Sequence, residues 1–298
     1  MISNGNSEMI KEMELCRDSV DIRLQELFAE AGSSYATLVE SMRYSLLAGG
    51  KRVRAVICMK FCEAAGGSAE DALDVACAVE MLHTYTLIHD DMPAMDGDDM
   101  RRGKPSNHIE YGEFTAMLAG DALQAAAFET LAKSGLPAKS IVEMVQIFAH
   151  AAGPHGICGG QYLDLSGEGW HLTIDELLEL YSMKTAALIS AAAKLGVIAG
   201  GGTEEQIEAA HLYSQAIGLA FQVRDDVLDC IATAEELGKP IGSDVINDKS
   251  TFASLLGVEA CEKLISKETE KAISALDGKF KNTEFLTWLA QILAERKN

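Results

Sequence analysis

Hydrophobic residues recur along almost the whole chain at the three- and four-residue spacing of a helix. Segments 21–31 and 34–50 show this spacing with a clear polar face, whereas 52–67 and 113–135 are apolar around most of their circumference. A helix that is apolar on all sides is buried among other helices. No segment shows the strict alternation of a half-buried strand, so the pattern predicts an all-α protein.

Glycine and proline mark where several of these helices should end. Glycine pairs at 49–50 and 66–67 are typical helix terminators, and Pro93 should end the helix of segment 68–91. Thr173 opens a capping box, which predicts that a helix begins there and continues to the triple glycine that follows.

The remaining pattern indicates one domain. The tail from about Thr251 predicts two or three more helices, and the longest polar gaps are 97–110 and 233–250. Because no low-complexity linker divides the chain, we predict a single domain over residues 1–298, built as a large helical bundle.

Composition and charge limit the partners and the compartment. Of the 298 residues 48% are hydrophobic, and the formal net charge is −20. That charge disfavours binding to nucleic acid or to an anionic membrane through a general basic field. The N-terminal stretch lacks a signal-peptide pattern, and no apolar run is long enough for stable membrane insertion. The seven cysteines form no paired motif, so we predict a cytoplasmic protein with free thiols.

Two groups of aspartates follow strongly apolar helical segments. The first group is Asp90, Asp91, Asp96, Asp98 and Asp99, and the second is Asp225, Asp226 and Asp229. Asp225 and Asp229 share one helix face, where like charges repel each other. Mg²⁺ would compensate for that repulsion, because it prefers one or two carboxylates and completes its shell with water and substrate phosphates. Two such groups therefore favour a metal-bound phosphorylated ligand over a solvated acidic surface.

Cations near the aspartates are candidate phosphate contacts. They are Lys51, Arg52 and Arg54 after a glycine pair, Arg101 and Arg102 after the first acidic group, Lys184 beside Thr185, and Lys239 and Lys249 after the second acidic group. An isolated surface cation is weak evidence. Lys184 is stronger, because its neighbours at 186–193 are apolar and a buried lysine needs a partner. The apolar helices beside these charges indicate that the rest of the ligand is hydrocarbon.

In these residues the chain resembles the trans-prenyl diphosphate synthases and looks most like the bacterial farnesyl diphosphate synthases. The matching motifs, in chain order, are "GGKRVR" (49–54), "HTYTLIHDDMPAMDGDDMRRGKP" (83–105), "LAGDAL" (118–123), "GGQYLDL" (159–165), "MKTAAL" (183–188), "FQVRDDVLD" (221–229), "LGKPIGSD" (237–244) and "DKST" (248–251). They span most of the chain, and two aspartate-rich motifs combined with several basic motifs are a highly specific signal.

The resemblance implies an isoprenoid synthase fold, which is an all-α bundle with a deep central cavity, in an enzyme that works as a homodimer. It implies Mg²⁺-dependent head-to-tail condensation of isopentenyl diphosphate with dimethylallyl or geranyl diphosphate. Three Mg²⁺ ions would bridge the allylic diphosphate to the two aspartate motifs, with Mn²⁺ as a possible substitute. Carried over from the family, the metal residues are Asp90, Asp91, Asp96, Asp225 and Asp229.

The resemblance also implies the substrate contacts. The allylic diphosphate would be held by Arg101, Lys184 and Lys249, with Lys239 close to it. Isopentenyl diphosphate would be held by Lys51, Arg54, His83 and Arg102, beside Gly50. Lys184, Thr185 and Gln222 would be the catalytic residues, with the last two along the route of the developing carbocation. No serine or cysteine nucleophile is required, because the departing diphosphate takes the proton in this family.

The sequence departs from the family pattern at two positions. Ala186 stands where the family usually has glycine after Lys-Thr, and Gly97 stands where an acid or asparagine is common. Neither change removes a metal or diphosphate contact, so we expect an active enzyme.

Product length should depend on the cavity floor, which we place at Tyr85 and Thr86, one helical turn or slightly more before Asp90. The bulky Tyr85, with the two extra residues 93–94 inside the first motif, predicts a fifteen-carbon stop and hence farnesyl diphosphate. The alternatives are a geranylgeranyl diphosphate synthase, then a partner subunit of a heteromeric prenyl synthase or a terpene cyclase. A cyclase would not need the "GGKRVR" motif, and a partner subunit would usually lack aspartates of one motif.

Overall fold

The computed structural model describes residues 2–29, 33–167, 171–231 and 250–296. The described chain is predominantly helical, which confirms the all-α prediction. The first helices are α1 (Ile2–Leu27), α2 (Ala36–Leu46), α3 (Val53–Ala65), α4 (Leu73–Asp90), α5 (Asn107–Tyr111), α6 (Glu113–Ala132) and α7 (Ala138–Ala152). They are followed by α8 (Ile157–Ser166), α9 (Ile174–Tyr181), α10 (Ala187–Ala199), α11 (Glu204–Ile231), α12 (Phe252–Leu256), α13 (Val258–Leu276) and α14 (Glu284–Glu295).

The chain divides into two compact units. Unit 1 comprises Met1–Gln146 and Leu195–Gly202, and unit 2 comprises Ile147–Lys194 and Thr203–Asn298. The extent of one domain over residues 1–298 stays a prediction.

Unit 1 is built around α3, α4 and α6, with α1 and α2 packed against them. Residues 55–62 of α3 and 75–82 of α4 are all buried, as expected for helices without a polar face. Gly196 lies against the backbone of α3, where an added Cβ would be 2.1 Å from the carbonyl oxygen of Cys58. This glycine therefore lets residues 195–202 pack directly onto α3.

Unit 2 is arranged around the long helix α11, which contacts α9, α12, α13 and α14. Its core is a cluster of apolar side chains that includes Leu177, Leu180, Val223, Val227, Phe252 and Ile265. Complete burial of one such side chain contributes about 1.5–3 kcal/mol.

Most predicted helix ends are confirmed. α2 ends three residues before Gly49, α3 ends at Ala65 and is followed by Gly66 with φ +111°, and α4 ends at Asp90 before Pro93. The Thr173 capping box forms at the start of α9, and three helices follow Thr251.

Two local elements were not predicted. A short antiparallel hairpin pairs β1 (Met100–Arg101) with β2 (Lys104–Pro105) inside the polar gap at 97–110. The helix predicted from Thr173 to the triple glycine is interrupted by a π-helical turn at Ser182–Ala186, which separates α9 from α10. A π turn contains one extra residue per turn and occurs frequently at functional sites.

Contrary to the expectation from the sequence, one stretch of the described residues, Ile174–Ala199, is long and apolar enough to cross a membrane. Of its most apolar window, 67% is buried inside the protein. A mostly buried core helix of a protein without a membrane span can be equally long and apolar.

Candidate active site

The predicted site residues fall into two groups, one in each unit. In unit 1 the first aspartate motif forms a tight turn at the end of α4. The amide of Asp96 donates to the carbonyl of Asp90 at 2.9 Å, and Gly97 closes the turn with φ +68°. That backbone conformation favours glycine and tolerates asparagine, which gives the departure at Gly97 a structural reason. Asp90 is half-buried and Asp96 is exposed.

Asp91 has a different environment, because its side chain is directed into unit 1. It is 2% exposed and accepts two hydrogen bonds from Arg101, one of them from Nε at 2.8 Å. Arg101 also donates to Asp98 at 3.3 Å. Burial raises the pKa of Asp91, while the hydrogen bond from Arg101 acts in the opposite direction. In this protein Asp91 thus attaches the β1–β2 hairpin to α4, and a diphosphate at Arg101 would share that guanidinium with it.

A second cluster in unit 1 consists of cations around the glycine pair. Arg54 contacts His83 Nε2 at 3.3 Å, and Arg102 donates to the carbonyl of Gly49. Gly50 leaves room for this contact, because an added Cβ would lie 3.0 Å from the guanidinium carbon of Arg102. Burial lowers the pKa of Arg54, and nearby Arg102 lowers it further. Positive groups that repel one another at a partly buried site are a suitable environment for an anion.

The other two cations of this motif differ from each other. Lys51 is exposed, whereas Arg52 is buried and forms ion pairs with Asp21 and Glu80. Arg52 is therefore not available as a direct ligand contact, although the sequence offered it together with Lys51 and Arg54.

Acid is expected to destabilise unit 1 through His83. Burial, followed by the charges of Arg54 and Arg102, holds the pKa of His83 well below its ordinary value of 6.5. In the unfolded chain this imidazole gains a proton as the pH falls through about 6.5, so protonation favours unfolding and stability is lost below that pH. The loss reaches at most about 1.4 kcal/mol per pH unit. Urea unfolding at pH 7.5 and 5.5 measures it. His83→Asn should reduce the difference, and an unchanged difference would contradict this assignment.

The two predicted chain-length residues are buried on α4. Tyr85 lies edge-on to the ring of His89, with centroids 5.6 Å apart, and Thr86 donates to the carbonyl of His83 at 2.8 Å. His89 in turn lies against Gly120 of α6, where an added Cβ would clash with the imidazole. The packing of α4 on α6 therefore holds the Tyr85 ring in place. Its role in product length stays a prediction.

Unit 2 contains a cavity of about 230 Å³ next to the second aspartate motif. Polar residues on its wall are Asp164, Lys184, Gln222, Asp225, Asp226, Asp229, Ser250 and Thr251, and apolar residues include Leu172, Leu177 and Leu180. Residues singled out from two separate motifs thus line one cavity: Lys184 from 183–188, and Gln222 and Asp225 from 221–229.

The π turn presents Lys184 and Thr185. It packs closely because Gly160 of α8 faces the Lys184 backbone, where an added Cβ would be 2.3 Å from the amide nitrogen. Gly218 of α11 similarly faces Ala186. The methyl group of Ala186, which departs from the family's glycine, is thus accommodated by a glycine on the opposite helix.

Each catalytic candidate of unit 2 has a side-chain partner. Lys184 forms an ion pair with Asp164, and the Thr185 hydroxyl donates to the side-chain carbonyl of Gln222 at 3.1 Å. Asp164 was not singled out from the sequence, although it lies inside the quoted motif "GGQYLDL". Lys184 is less buried than its apolar neighbours suggested, with a side chain that is 30% exposed, but it does have a carboxylate partner, which this motif contained.

The three aspartates of the second motif have different environments. Asp225 pairs with Arg296, whose guanidinium lies 3.8 Å from the centre of the Phe221 ring. Asp226 is buried and accepts hydrogen bonds from the Tyr181 hydroxyl and the Phe252 amide. No sequence signal marked Arg296 as a partner of the motif. Lys239 and Lys249 lie outside the described residues.

The donor atoms of the second motif suit Mg²⁺. Asp225 and Asp229 both line the cavity, and Mg²⁺ prefers hard oxygen ligands such as their carboxylates. Among the described residues no group of three or more His, Cys, Asp and Glu side chains is gathered as a ready-made metal site. An ion that takes one or two carboxylates and completes its shell with phosphate does not need such a group.

All seven cysteines lie in the described part of the chain, and no disulfide joins any two of them. Five are buried, while Cys158 and Cys230 are exposed. Burial raises the pKa of Cys62 to about 12, which keeps this thiol protonated.

The chain is similar to known proteins over nearly its whole length. Residues 35–290 match the family described as polyprenyl synthetase. Geranylgeranyl pyrophosphate synthase 3, chloroplastic, of Arabidopsis thaliana is 49% identical over 81% of this chain and 69% of its own. A geranylgeranyl diphosphate synthase of Cyanophora paradoxa is 48% identical over 81% of this chain and 83% of its own.

Solved structures agree with this match. An FPP/GFPP synthase from Zymomonas mobilis superposes with a TM-score of 0.87 at 33% identity, covering 97% of this chain and 99% of the other. A geranylgeranyl pyrophosphate synthetase from Pyrococcus horikoshii gives a TM-score of 0.88 at 33% identity, over 98% of this chain and 99% of the other. These similarities confirm the isoprenoid synthase fold. The chain belongs to the polyprenyl synthetase family and is a prenyltransferase.

Proposed function

We propose that the protein is a Mg²⁺-dependent synthase that joins isopentenyl diphosphate head to tail to allylic diphosphates and releases geranylgeranyl diphosphate. The observation that supports this reaction most directly is the cavity of unit 2. There Lys184, Asp225 and Asp229 line the same cavity as Leu177 and Leu180, so the cavity offers charge for a diphosphate and apolar surface for a prenyl chain.

The residues of unit 2 suit the ionisation of an allylic diphosphate. Bound Mg²⁺ would supply Lewis-acid stabilisation of the leaving diphosphate, and Asp225 and Asp229 would hold it. Lys184 adds a positive charge where negative charge grows in the transition state. Thr185 and Gln222 orient each other by a hydrogen bond and present neutral polar groups, which do not react with a carbocation as a free carboxylate would.

The residues of unit 1 suit the binding of isopentenyl diphosphate. Arg54 and Arg102 supply guanidinium groups, which match phosphate oxygens with two parallel hydrogen bonds. His83 is neutral at pH 7 because its pKa is lowered, so it can donate one hydrogen bond without adding to the repulsion between the arginines. Water must be kept from the carbocation, and the apolar residues of the helices serve that purpose.

Twenty carbons are favoured for the product by the curated relatives. Those with 45–49% identity bear the name geranylgeranyl diphosphate or pyrophosphate synthase. The sequence alone suggested fifteen carbons, on the size of Tyr85. That remains the second candidate, and the packing of Tyr85 against His89 is the observation in its favour.

Product analysis distinguishes the two. Purified protein is incubated with dimethylallyl diphosphate, excess isopentenyl diphosphate and Mg²⁺, and the prenyl diphosphates are measured by mass spectrometry with an EDTA control. We expect a twenty-carbon product that disappears with EDTA. A fifteen-carbon product would instead favour the Tyr85 floor, and Tyr85→Ala should then lengthen it. If neither the five-carbon nor the ten-carbon primer is elongated, the proposed reaction is wrong for the isolated chain.

The proposal includes a homodimer. α6 exposes three large apolar side chains, Phe114 (77% exposed), Met117 and Leu118. An apolar patch of this kind on a monomer is typical of an interaction surface, and a second copy of the chain would bury it. Light scattering after gel filtration tests this. Phe114→Glu should shift the mass from dimer to monomer, whereas a monomeric wild type would contradict the proposal.

A further inference from the structure

We propose that Arg52 and Glu80 are positioning residues for the isopentenyl diphosphate site, because they fix the turn that presents Lys51 and Arg54. The inference rests on the proposed function for the identity of the ligand. The geometry that supports it lies entirely in unit 1 and is independent of product length.

The Arg52 side chain is anchored to three different helices. This side chain is 1% exposed, and its guanidinium donates to Asp21 of α1 at 2.9 Å, to the Leu46 carbonyl of α2 at 2.5 Å and to Glu80 of α4 at 3.3 Å. An arginine is almost never buried unless its charge is paired, and here two carboxylates pair it. The side chain of this residue consequently joins the elements on either side of the glycine pair.

The Arg52 backbone is equally constrained. It adopts φ +48°, a left-handed conformation that costs a non-glycine residue about 1–3 kcal/mol unless its surroundings hold it. α3 begins at the next residue, and the Ala55 amide donates to Glu80 at 3.2 Å. Glu80 therefore holds both the Arg52 side chain and the first turn of α3. Lys51 and Arg54 lie on either side of this fixed point.

Arg52 differs from the nearby arginines in having carboxylate partners. Asp21 and Glu80 form ion pairs with Arg52 and neutralise its charge. Within the part of the chain that the structure describes, neither Arg54 nor Arg102 forms an ion pair with a carboxylate. Burial lowers the pKa of both Arg54 and Arg102, and through-space attraction to Glu80 opposes that shift in each. The same carboxylate thus fixes the backbone and moderates the repulsion between Arg54 and Arg102.

A positioning role differs from a purely structural one in what it changes. A buried pair that only stabilised unit 1 would lower the unfolding midpoint when altered, and the surviving folded enzyme would keep its kinetics. A pair that sets the direction of Lys51 and Arg54 would also raise the KM for isopentenyl diphosphate, because small displacements of binding groups are costly.

Glu80→Gln is the first variant, because it keeps the shape of the side chain and removes the charge. Asp21→Asn is the second; Asp21 is about one-third exposed, so this change is tolerated even if Glu80→Gln folds poorly. Arg23→Gln is the matched control: Arg23 also joins α1 to α4, through Asp74 at 2.7 Å, but it lies outside the network of the 49–54 turn.

The experiment measures kcat and the KM for each substrate, together with the unfolding midpoint. We expect Glu80→Gln to raise the KM for isopentenyl diphosphate about tenfold, Asp21→Asn to raise it less, and both to leave the KM for the allylic substrate within about twofold. Arg23→Gln should leave both KM values unchanged. Equal effects on the two substrates, or a lower midpoint with unchanged KM values, would overturn the positioning role.

Calorimetry in EDTA separates this inference from the proposed reaction. Isopentenyl diphosphate is titrated into wild type and Glu80→Gln without metal. Binding that weakens about tenfold in the variant supports the positioning role even if the wild type forms no prenyl product. Equal binding by both proteins would refute it, whatever the product assay shows.

Discussion

Replacement of Lys184 by methionine is expected to lower kcat by about 100- to 1,000-fold while the protein stays folded. Removal of one preorganised group that stabilises transition-state charge typically has an effect of that size. Lys184 is placed on the cavity wall by the π turn and lines the same cavity as the second aspartate motif. Methionine keeps the length of the side chain and removes its charge. Steady-state kinetics with geranyl and isopentenyl diphosphates gives the result.

Two matched variants make this result specific. Lys263→Met removes a lysine of the same unit that pairs with Glu259 on the surface, and it should leave kcat unchanged. Asp164→Asn removes the partner of Lys184 and keeps the ammonium group. If Lys184 acts only by neutralising Asp164, the double variant Lys184→Met with Asp164→Asn should recover activity. We expect it to stay as inactive as Lys184→Met alone.

Asp226→Ala is expected to destabilise the protein by about 3 kcal/mol, the largest effect on stability that we predict for a single aspartate of either motif. Asp226 is 5% exposed and accepts the Phe252 amide at 2.7 Å and the Tyr181 hydroxyl at 2.9 Å. Alanine would leave both buried donors without an acceptor, and each such loss costs about 1–3 kcal/mol. Urea unfolding monitored by circular dichroism measures the change.

Asp226→Asn and Tyr181→Phe should each lower the stability by less than Asp226→Ala does. Asparagine keeps one acceptor oxygen, so its cost should be intermediate, and phenylalanine removes only one donor, which should cost about 1 kcal/mol. An Asp226→Ala protein as stable as wild type would show that this carboxylate does not hold α12 to α11. The neighbouring aspartate should behave in the opposite way: we expect Asp225→Asn to impair catalysis with little change in stability.

Helix boundaries and the candidate motifs were predictable because they depend on local chemistry. The glycine at position 66 ends α3 by adopting a left-handed conformation, and the Thr173 capping box opens α9 by satisfying free amides. Both effects are fixed within a few residues. The same holds for the shared face of Asp225 and Asp229, which follows from helical spacing alone.

Features that depend on distant residues were not predictable. Arg52 looks like Lys51 and Arg54 in the sequence, yet its burial depends on Asp21 and Glu80, thirty-one and twenty-eight residues away. Arg296 pairs with Asp225 across seventy-one positions. No periodicity contains that information, because these contacts arise only when the helices have packed.

The π turn at Ser182–Ala186 behaves as a one-residue insertion in an otherwise continuous helix. One α-helical residue corresponds to a rotation of about 100°, so the insertion changes the angular phase between α9 and α10 by that amount. A deletion of one residue here would restore regular winding and turn either Lys184 away from the cavity or the apolar face of α9 out of its core. A lysine that lines the cavity and a helix face that packs into the core can share one continuous stretch of chain because the π turn offsets their directions.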